Sequence, residues 1–279
     1  MRAETLHEQL LFCTVRIETT TSVGTGFLVS YPGPDDTQAI FLVTNKHVLE
    51  GAQEAEVFFT LASDNRQEPQ VGSKVPVLIE DLPNQWLGHA RADVDVAALP
   101  ISGLIRTLDD QGTPPFLKTL NTQANFASPE QIKELDSLED ITFVGYPNGI
   151  FDEINLLPVT RGGRTATPVA IDYAGLPAFL IDASVFPGSS GSPVLLLRRG
   201  GYASRAGATI LAPPTATLLG IIASVFFQQD HGEIVMRPAP TALMPIVTTR
   251  QMIDLGVVFK ARTIVETIES LLRERGEIT

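Results

Sequence analysis

Residues 181 to 195 read Ile181-Asp182-Ala183-Ser184-Val185-Phe186-Pro187-Gly188-Ser189-Ser190-Gly191-Ser192-Pro193-Val194-Leu195. The flanking apolar runs, Ala178 to Ile181 and Pro193 to Leu197, have strand character, and the Pro-Gly-Ser-Ser-Gly-Ser-Pro between them is a tight turn. A serine that attacks a carbonyl needs an exposed hydroxyl beside two backbone N–H groups aimed at the developing oxyanion. The turn supplying them must adopt a conformation that most side chains resist. Gly188 and Ser190 are the two donors this turn offers, and Ser190 is the candidate nucleophile. An ordinary Gly/Ser-rich hairpin loop has the same composition. A Gly-x-Ser-x-Gly elbow leading into a helix is excluded, because position 192 is serine and a strand follows. The turn becomes an active site only if a base and an orienting carboxylate exist elsewhere.

The chain has four histidines, and one is set apart by its surroundings. His7 lies near the amino terminus, His89 follows Trp86-Leu87-Gly88, and His231 sits in Gln-Asp-His-Gly, all polar or irregular settings. His47 alone follows a strong apolar strand, Ala39-Ile40-Phe41-Leu42-Val43, which delivers it to a fixed place. A catalytic base needs that rigidity, since a small misplacement costs much of the rate. Further on, Ala92-Asp93-Val94-Asp95-Val96-Ala97-Ala98-Leu99 offers two carboxylates. Asp95 opens the apolar run, so its carboxylate lies at the core's edge, where it can accept a hydrogen bond from a histidine and stay ionised. Asp93 fits a solvent-facing position better.

Composition narrows the remaining options. With 32 acidic against 20 basic residues the formal net charge is −12, which argues against a nucleic-acid partner. The 22 glycines and 20 prolines point to many turns and an all-β architecture. A single cysteine, Cys13, forms no internal disulfide, so a reducing, cytoplasmic compartment is expected, and its apolar setting marks it as a structural thiol. Charges occupy the amino terminus where a signal peptide needs an apolar core, and no apolar run reaches membrane-spanning length. Neither a membrane partner nor a metal or other cofactor is expected.

Taken in order, Gly24-Thr25-Gly26-Phe27, Val43-Thr44-Asn45-Lys46-His47-Val48, Asp95-Val96-Ala97-Ala98-Leu99, Val144-Gly145-Tyr146-Pro147-Asn148-Gly149 and Asp182 to Pro193 resemble the chymotrypsin-like serine proteases of trypsin fold. The similarity is greatest to the disulfide-free, bacterial Deg (high-temperature-requirement) protease domain. It spans roughly residues 14 to 227, with His, Asp and Ser in the family's order. One position departs: Ser192 stands where the family usually carries a second glycine.

The resemblance implies two six-stranded antiparallel Greek-key barrels followed by a C-terminal helix. An N-terminal helix and first barrel are expected over 1–110, a connection with a short helix over 111–140, the second barrel over 141–260 and the closing helix over 261–279. Ser128-Pro129-Glu130-Gln131 is a helix start, and Thr263-Ile264-Val265-Glu266 has the capping-box pattern of another. The segment from Arg198 to about Ala208 reads as an exposed loop. The resemblance also places the floor of a substrate pocket at Ser184, with walls that include Ala223 and Ser224, and makes His47, Asp95 and Ser190 a catalytic triad. With no carboxylate at position 184, an apolar residue before the cleaved bond is expected. The function implied is that of a serine endopeptidase acting on protein or peptide substrates through an acyl-enzyme. An activating protein partner that orders Phe186 to Ser189 is one way to control it. A silent binding module that keeps the double barrel is the reading from a different class, and an esterase acting on small acyl esters a third.

Overall fold

The computed structural model describes residues 2–33, 37–147, 151–203, 207–233 and 246–278, with the backbone alone at 203, 225–233 and 246–253. The expected motif residues Asn148 and Gly149, and a strand expected from Glu233 to Arg237, fall outside these residues except for Glu233 itself. The N-terminal half opens with α1 (Leu6–Leu11), started by a capping box between Thr5 and Glu8. It continues through β1 (Thr14–Thr19), β2 (Val23–Pro32), β3 (Gln38–Thr44), the one-turn helix α2 (Lys46–Leu49), β4 (Ala55–Ala62), β5 (Pro69–Ile79), β6 (Leu87–Gly88), β7 (Ala97–Pro100), α3 (Ser102–Asp110), β8 (Pro115–Phe116) and β9 (Leu120–Asn121).

These strands form one nine-stranded sheet with the path β5-β4-β1-β2-β3-β7-β6, to which β8 adds on β4 and β9 on β2. The six longer strands, β1 to β5 and β7, are the complement expected of a first barrel. They trace a sheet with two ends rather than a closed ring, and the expected surface connection contributes two of its short strands. Helix α3 was not anticipated; its apolar side carries Leu108 into the core beside the partly buried Leu104 and Ile105.

The C-terminal half begins with α4 (Pro129–Glu134), capped reciprocally by Ser128 and Gln131 with Pro129 in its first turn. It continues with β10 (Asp140–Gly145), β11 (Val159–Thr165), β12 (Ala178–Asp182), β13 (Pro193–Arg198), β14 (Gly201–Ala203), β15 (Thr209–Leu211), β16 (Thr215–Glu233), β17 (Ile246–Lys260) and α5 (Ala261–Glu274). Six of these strands close a barrel in the order β10-β11-β12-β17-β16-β13, while β14 and β15 pair as a separate hairpin. The loop expected after Arg198 is therefore partly a hairpin: Gly201, Tyr202 and Ala203 pair with Leu211, Ile210 and Thr209.

The closing helix starts three residues earlier than its capping-box pattern implies. β17 runs directly into it, Lys260 stands at the N-cap without a side-chain hydrogen bond, and Thr263 is an interior residue. The buried Thr263 hydroxyl donates to the Lys260 carbonyl at 2.8 Å, so it is used inside the first turn and not as a cap. Among the described residues no helix is long and apolar enough to cross a membrane.

Strand alternation sorts side chains into separate cores. Along β2, Leu28 packs inside the first sheet with Ile17, Leu42, Val57 and Leu99, whereas Phe27 and Val29 face the other way. There they meet Leu195, Leu218 and Phe259 of the barrel and Ile264, Ile268 and Leu271 of α5, so one apolar cluster cements the two halves. The barrel has its own interior around Phe143, Phe179, Ile181, Val194, Ile222 and Val258. Burial of about 25 cal/mol per Å² of apolar surface in that shared cluster holds the facing edges of the two halves in register. Cys13 belongs to it, and burial pushes its thiol up to about 12, leaving it protonated and inert at neutral pH.

Candidate active site

His47 is carried to the boundary between the halves by β3. Phe41, Leu42 and Val43 are buried and paired with both β2 and β7. The chain then breaks at Asn45 into α2, whose first turn turns His47 outward, leaving its side chain 45% exposed. Asp95 stands between Val94 and Val96, both fully buried, which peg its backbone to the core while the carboxylate emerges at the edge. His47 Nδ1 lies 2.5 Å from Asp95 Oδ2, and the His47 backbone N–H donates to Oδ1 at 3.2 Å. A carboxylate accepts only, so Nδ1 carries the hydrogen and Nε2 is left as an acceptor, the form a general base requires.

The loop bearing Asp95 is held from three sides. Asn45 donates through Nδ2 to the Asp95 carbonyl at 2.6 Å. Lys46 Nζ donates to the carbonyls of His89 at 2.7 Å and Arg91 at 2.9 Å. His89, itself buried, reaches Glu266 of α5 through Nε2 at 2.9 Å and accepts the Arg91 N–H at Nδ1. Asp93, the other candidate carboxylate, is exposed and engaged by Arg91, which holds its carboxyl below the usual carboxylate range.

Ser190 comes from the turn between β12 and β13, and Thr25 of β2 ties that turn to the first half. The Thr25 N–H donates to the Ser190 carbonyl at 2.9 Å, its hydroxyl donates to the Gly188 carbonyl at 2.8 Å, and its own carbonyl accepts from Thr44 Oγ1 at 2.7 Å. Thr44 is three residues before His47, so the Ser190 backbone is two hydrogen bonds from the strand that delivers His47. The turn closes by a Ser189 N–H to Phe186 carbonyl bond of 3.0 Å with Gly188 at φ +88. Among the described residues the Gly188 and Ser190 amides donate to no other group. The Ser190 hydroxyl donates to the Ala223 carbonyl at 3.3 Å, and no hydrogen bond joins it to His47 in this arrangement. Ala223 is thus brought to Ser190. Ser224 is exposed and Ser184 half-buried, with no hydrogen bond between Ser184 and either pocket wall among the described residues.

The sequence singles out His47, Asp95 and Ser190 but not the residues that hold them. Thr25, Asn45 and Lys46 lie within the motifs that carry the family resemblance, yet their roles arise from contacts spanning 43 to 163 positions along the chain.

Ser192 is fully buried and absent from the residues with left-handed φ, so a side chain is sterically acceptable where the family resemblance implies glycine. Room comes from Gly145 of β10, where an added Cβ would lie 2.0 Å from Ser192 Oγ. The hydroxyl has no hydrogen-bond partner among the described residues. A buried unsatisfied hydroxyl costs about 1–3 kcal/mol. Ser192→Ala is therefore expected to leave stability unchanged or raise it by about 1 kcal/mol in urea unfolding; a loss of that size would reveal a partner for the hydroxyl.

The family model described as trypsin-like peptidase domain matches residues 24–201, well over half of the chain. Comparison with curated protein sequences returns no match. Among solved structures, the inactive form of the Rv3671c protease of M. tuberculosis is 17% identical, with 94% of this chain and 89% of that chain covered and a TM-score of 0.45. The scabies mite inactivated protease paralogue S-I1 is 14% identical, with 95% and 97% covered and a TM-score of 0.49. The MamO protease domain of Magnetospirillum magneticum is also 14% identical, with 93% and 97% covered and a TM-score of 0.44.

Proposed function

Because the chain belongs to the trypsin-like peptidase domain family, we propose that it is a serine endopeptidase that cleaves protein or peptide substrates through Ser190, His47 and Asp95. The observation that carries this reading is the 2.5 Å contact between His47 Nδ1 and Asp95 Oδ2, which leaves Nε2 free to take a proton. For attack the Ser190 hydroxyl turns from the Ala223 carbonyl to His47 Nε2, a side-chain rotation. His47 accepts the hydroxyl proton as the serine oxygen bonds to the substrate carbonyl carbon, and Asp95 stabilises the imidazolium. The unengaged Gly188 and Ser190 amides receive the oxyanion. His47 then passes its proton to the departing amine, leaving an acyl-enzyme, and a water activated by the same base hydrolyses it. The chemistry is complete in these groups. Ser184, Ala223 and Ser224 line the pocket for the residue before the cut.

The test is labelling of the purified chain alone with a fluorophosphonate, which bonds only to an activated serine, followed by peptide mass spectrometry. The expected result is one adduct, on Ser190. A folded chain that takes up no label would favour the silent binding module. Labelling that appears only after a partner is added would place control in the Phe186–Ser189 turn.

A further inference from the structure

Arg161 of β11 is a cation with no carboxylate in contact among the described residues. The guanidinium groups of Arg16, Arg66, Arg91, Arg164, Arg262 and Arg273 each meet a carboxylate. Arg161 forms no ion pair among the described residues, and its Nη1 is buried without a hydrogen-bond partner there. Instead it is flanked by two aromatic rings, 4.7 Å from the centroid of Phe186 and 5.6 Å from that of Phe143. Ring faces attract a cation, but they do not accept the N–H bonds of a guanidinium. Burial pulls its pKa below the ordinary arginine value, and the charge of Asp254 pushes it back up. A buried guanidinium N–H with no acceptor is costly to leave unmet, and such groups mark places where a ligand completes them.

Its position says which ligand. Phe186 is two residues beyond Ser184 and four before Ser190, and at 37% exposure its ring is open to solvent. Two residues further along β11, Gly163 lies so close to Ala183 that an added Cβ would sit 2.6 Å from Ala183 Cβ. The side of β11 that carries Arg161 is therefore pressed against the Ala183–Phe186 segment, the one containing the proposed pocket floor. We propose that Arg161 is the specificity-determining residue of this site: it receives the carboxylate of a glutamate or aspartate immediately before the cleaved bond. This rests on the endopeptidase reading above. The incoming carboxylate displaces the Phe186 ring and accepts the Nη1 hydrogen, pairing two charges that neither the neutral Ser184 nor the rings could satisfy. The apolar preference expected from Ser184 alone gives way, because the charge that matters is contributed by a strand far from position 184 in sequence.

The experiment measures kcat/KM of the full chain for peptides identical except before the cut, where they carry Glu, Asp, Gln, Leu or Lys. Glu and Asp peptides are expected to exceed the Gln peptide by about ten- to a hundredfold, the range of a hydrogen bond to a charged group. Arg161→Gln should erase the difference between the Glu and Gln peptides. A preference for Leu or Lys in the wild type overturns the assignment. So does a uniform fall across all peptides in Arg161→Gln, which would make the arginine a prop for the Phe186 turn. Should that variant not fold, the wild-type panel decides by itself, and Arg161→Lys, which keeps the cation, should retain part of the preference. Fluorophosphonate labelling separates the two readings: label on Ser190 without acidic preference overturns the receptor alone, whereas no label removes the reaction it serves and overturns both.

Discussion

Ser190→Ala is expected to lower peptide turnover by about 10⁶-fold, the scale seen when a triad nucleophile is removed, while shifting unfolding free energy by no more than about 1 kcal/mol. The stability side follows from the single hydrogen bond the hydroxyl makes, to the Ala223 carbonyl. The activity side follows from chemistry: no other hydroxyl in the turn is placed for attack, since Ser189 and Ser192 are both buried. Asp95→Asn should cost about 10⁴-fold. An amide at 2.5 Å from Nδ1 can donate to it, which drives the hydrogen to Nε2 and removes the base. Asp93→Asn is the control: its carboxylate faces Arg91 and not His47, so turnover should stay within a few-fold of wild type. Equal losses at positions 93 and 95, measured on one peptide at saturating concentration, would refute the assignment of Asp95.

How far the site could be read in advance depended on whether each residue's role is local. His47, Asp95 and Ser190 are marked by their own neighbours: a buried strand ending at Asn45, an apolar run opening after Asp95, and glycines around Ser190. The same holds for α4, whose cap lies within four residues. Roles set by distant contacts left no comparable trace. Thr25 is an ordinary β-branched strand residue until the turn 163 positions away docks on its hydroxyl. Glu266 looks like the N3 partner of a capping box, but β17 extends the chain straight into α5, and the carboxylate serves His89 instead. Arg161 carries no signal in the sequence, and only the barrel's closure brings Phe186 over it. The first sheet's two ends belong with these cases, because closure depends on pairing between strands that no local pattern encodes.

Gly191→Ala is expected to be the most destabilising single methyl in the site, by about 3–5 kcal/mol, adding left-handed strain to overpacking. Gly191 has φ +88, and a Cβ there would lie 1.8 Å from the Thr25 carbonyl oxygen and 2.7 Å from Thr44 Oγ1. The oxygen is backbone of β2, whose neighbours β1 and β3 are paired to it on both sides, so it cannot retreat without disturbing the sheet. Relief must come from the turn, which would have to leave Thr25 and carry Ser190 away from the strand leading to His47. Stability and turnover should therefore fall together, with a drop in Tm of about 10 °C, at 2–4 °C per kcal/mol for chains of this size. Gly112→Ala separates strain from collision: φ there is +75, but nothing lies within 4 Å of the added carbon. That variant should lose only about 1 kcal/mol and keep full activity. If Gly191→Ala proved as stable and as active as Gly112→Ala, the Ser190 turn could not be resting on Thr25, and the hydrogen-bonded route from nucleophile to base would be wrong.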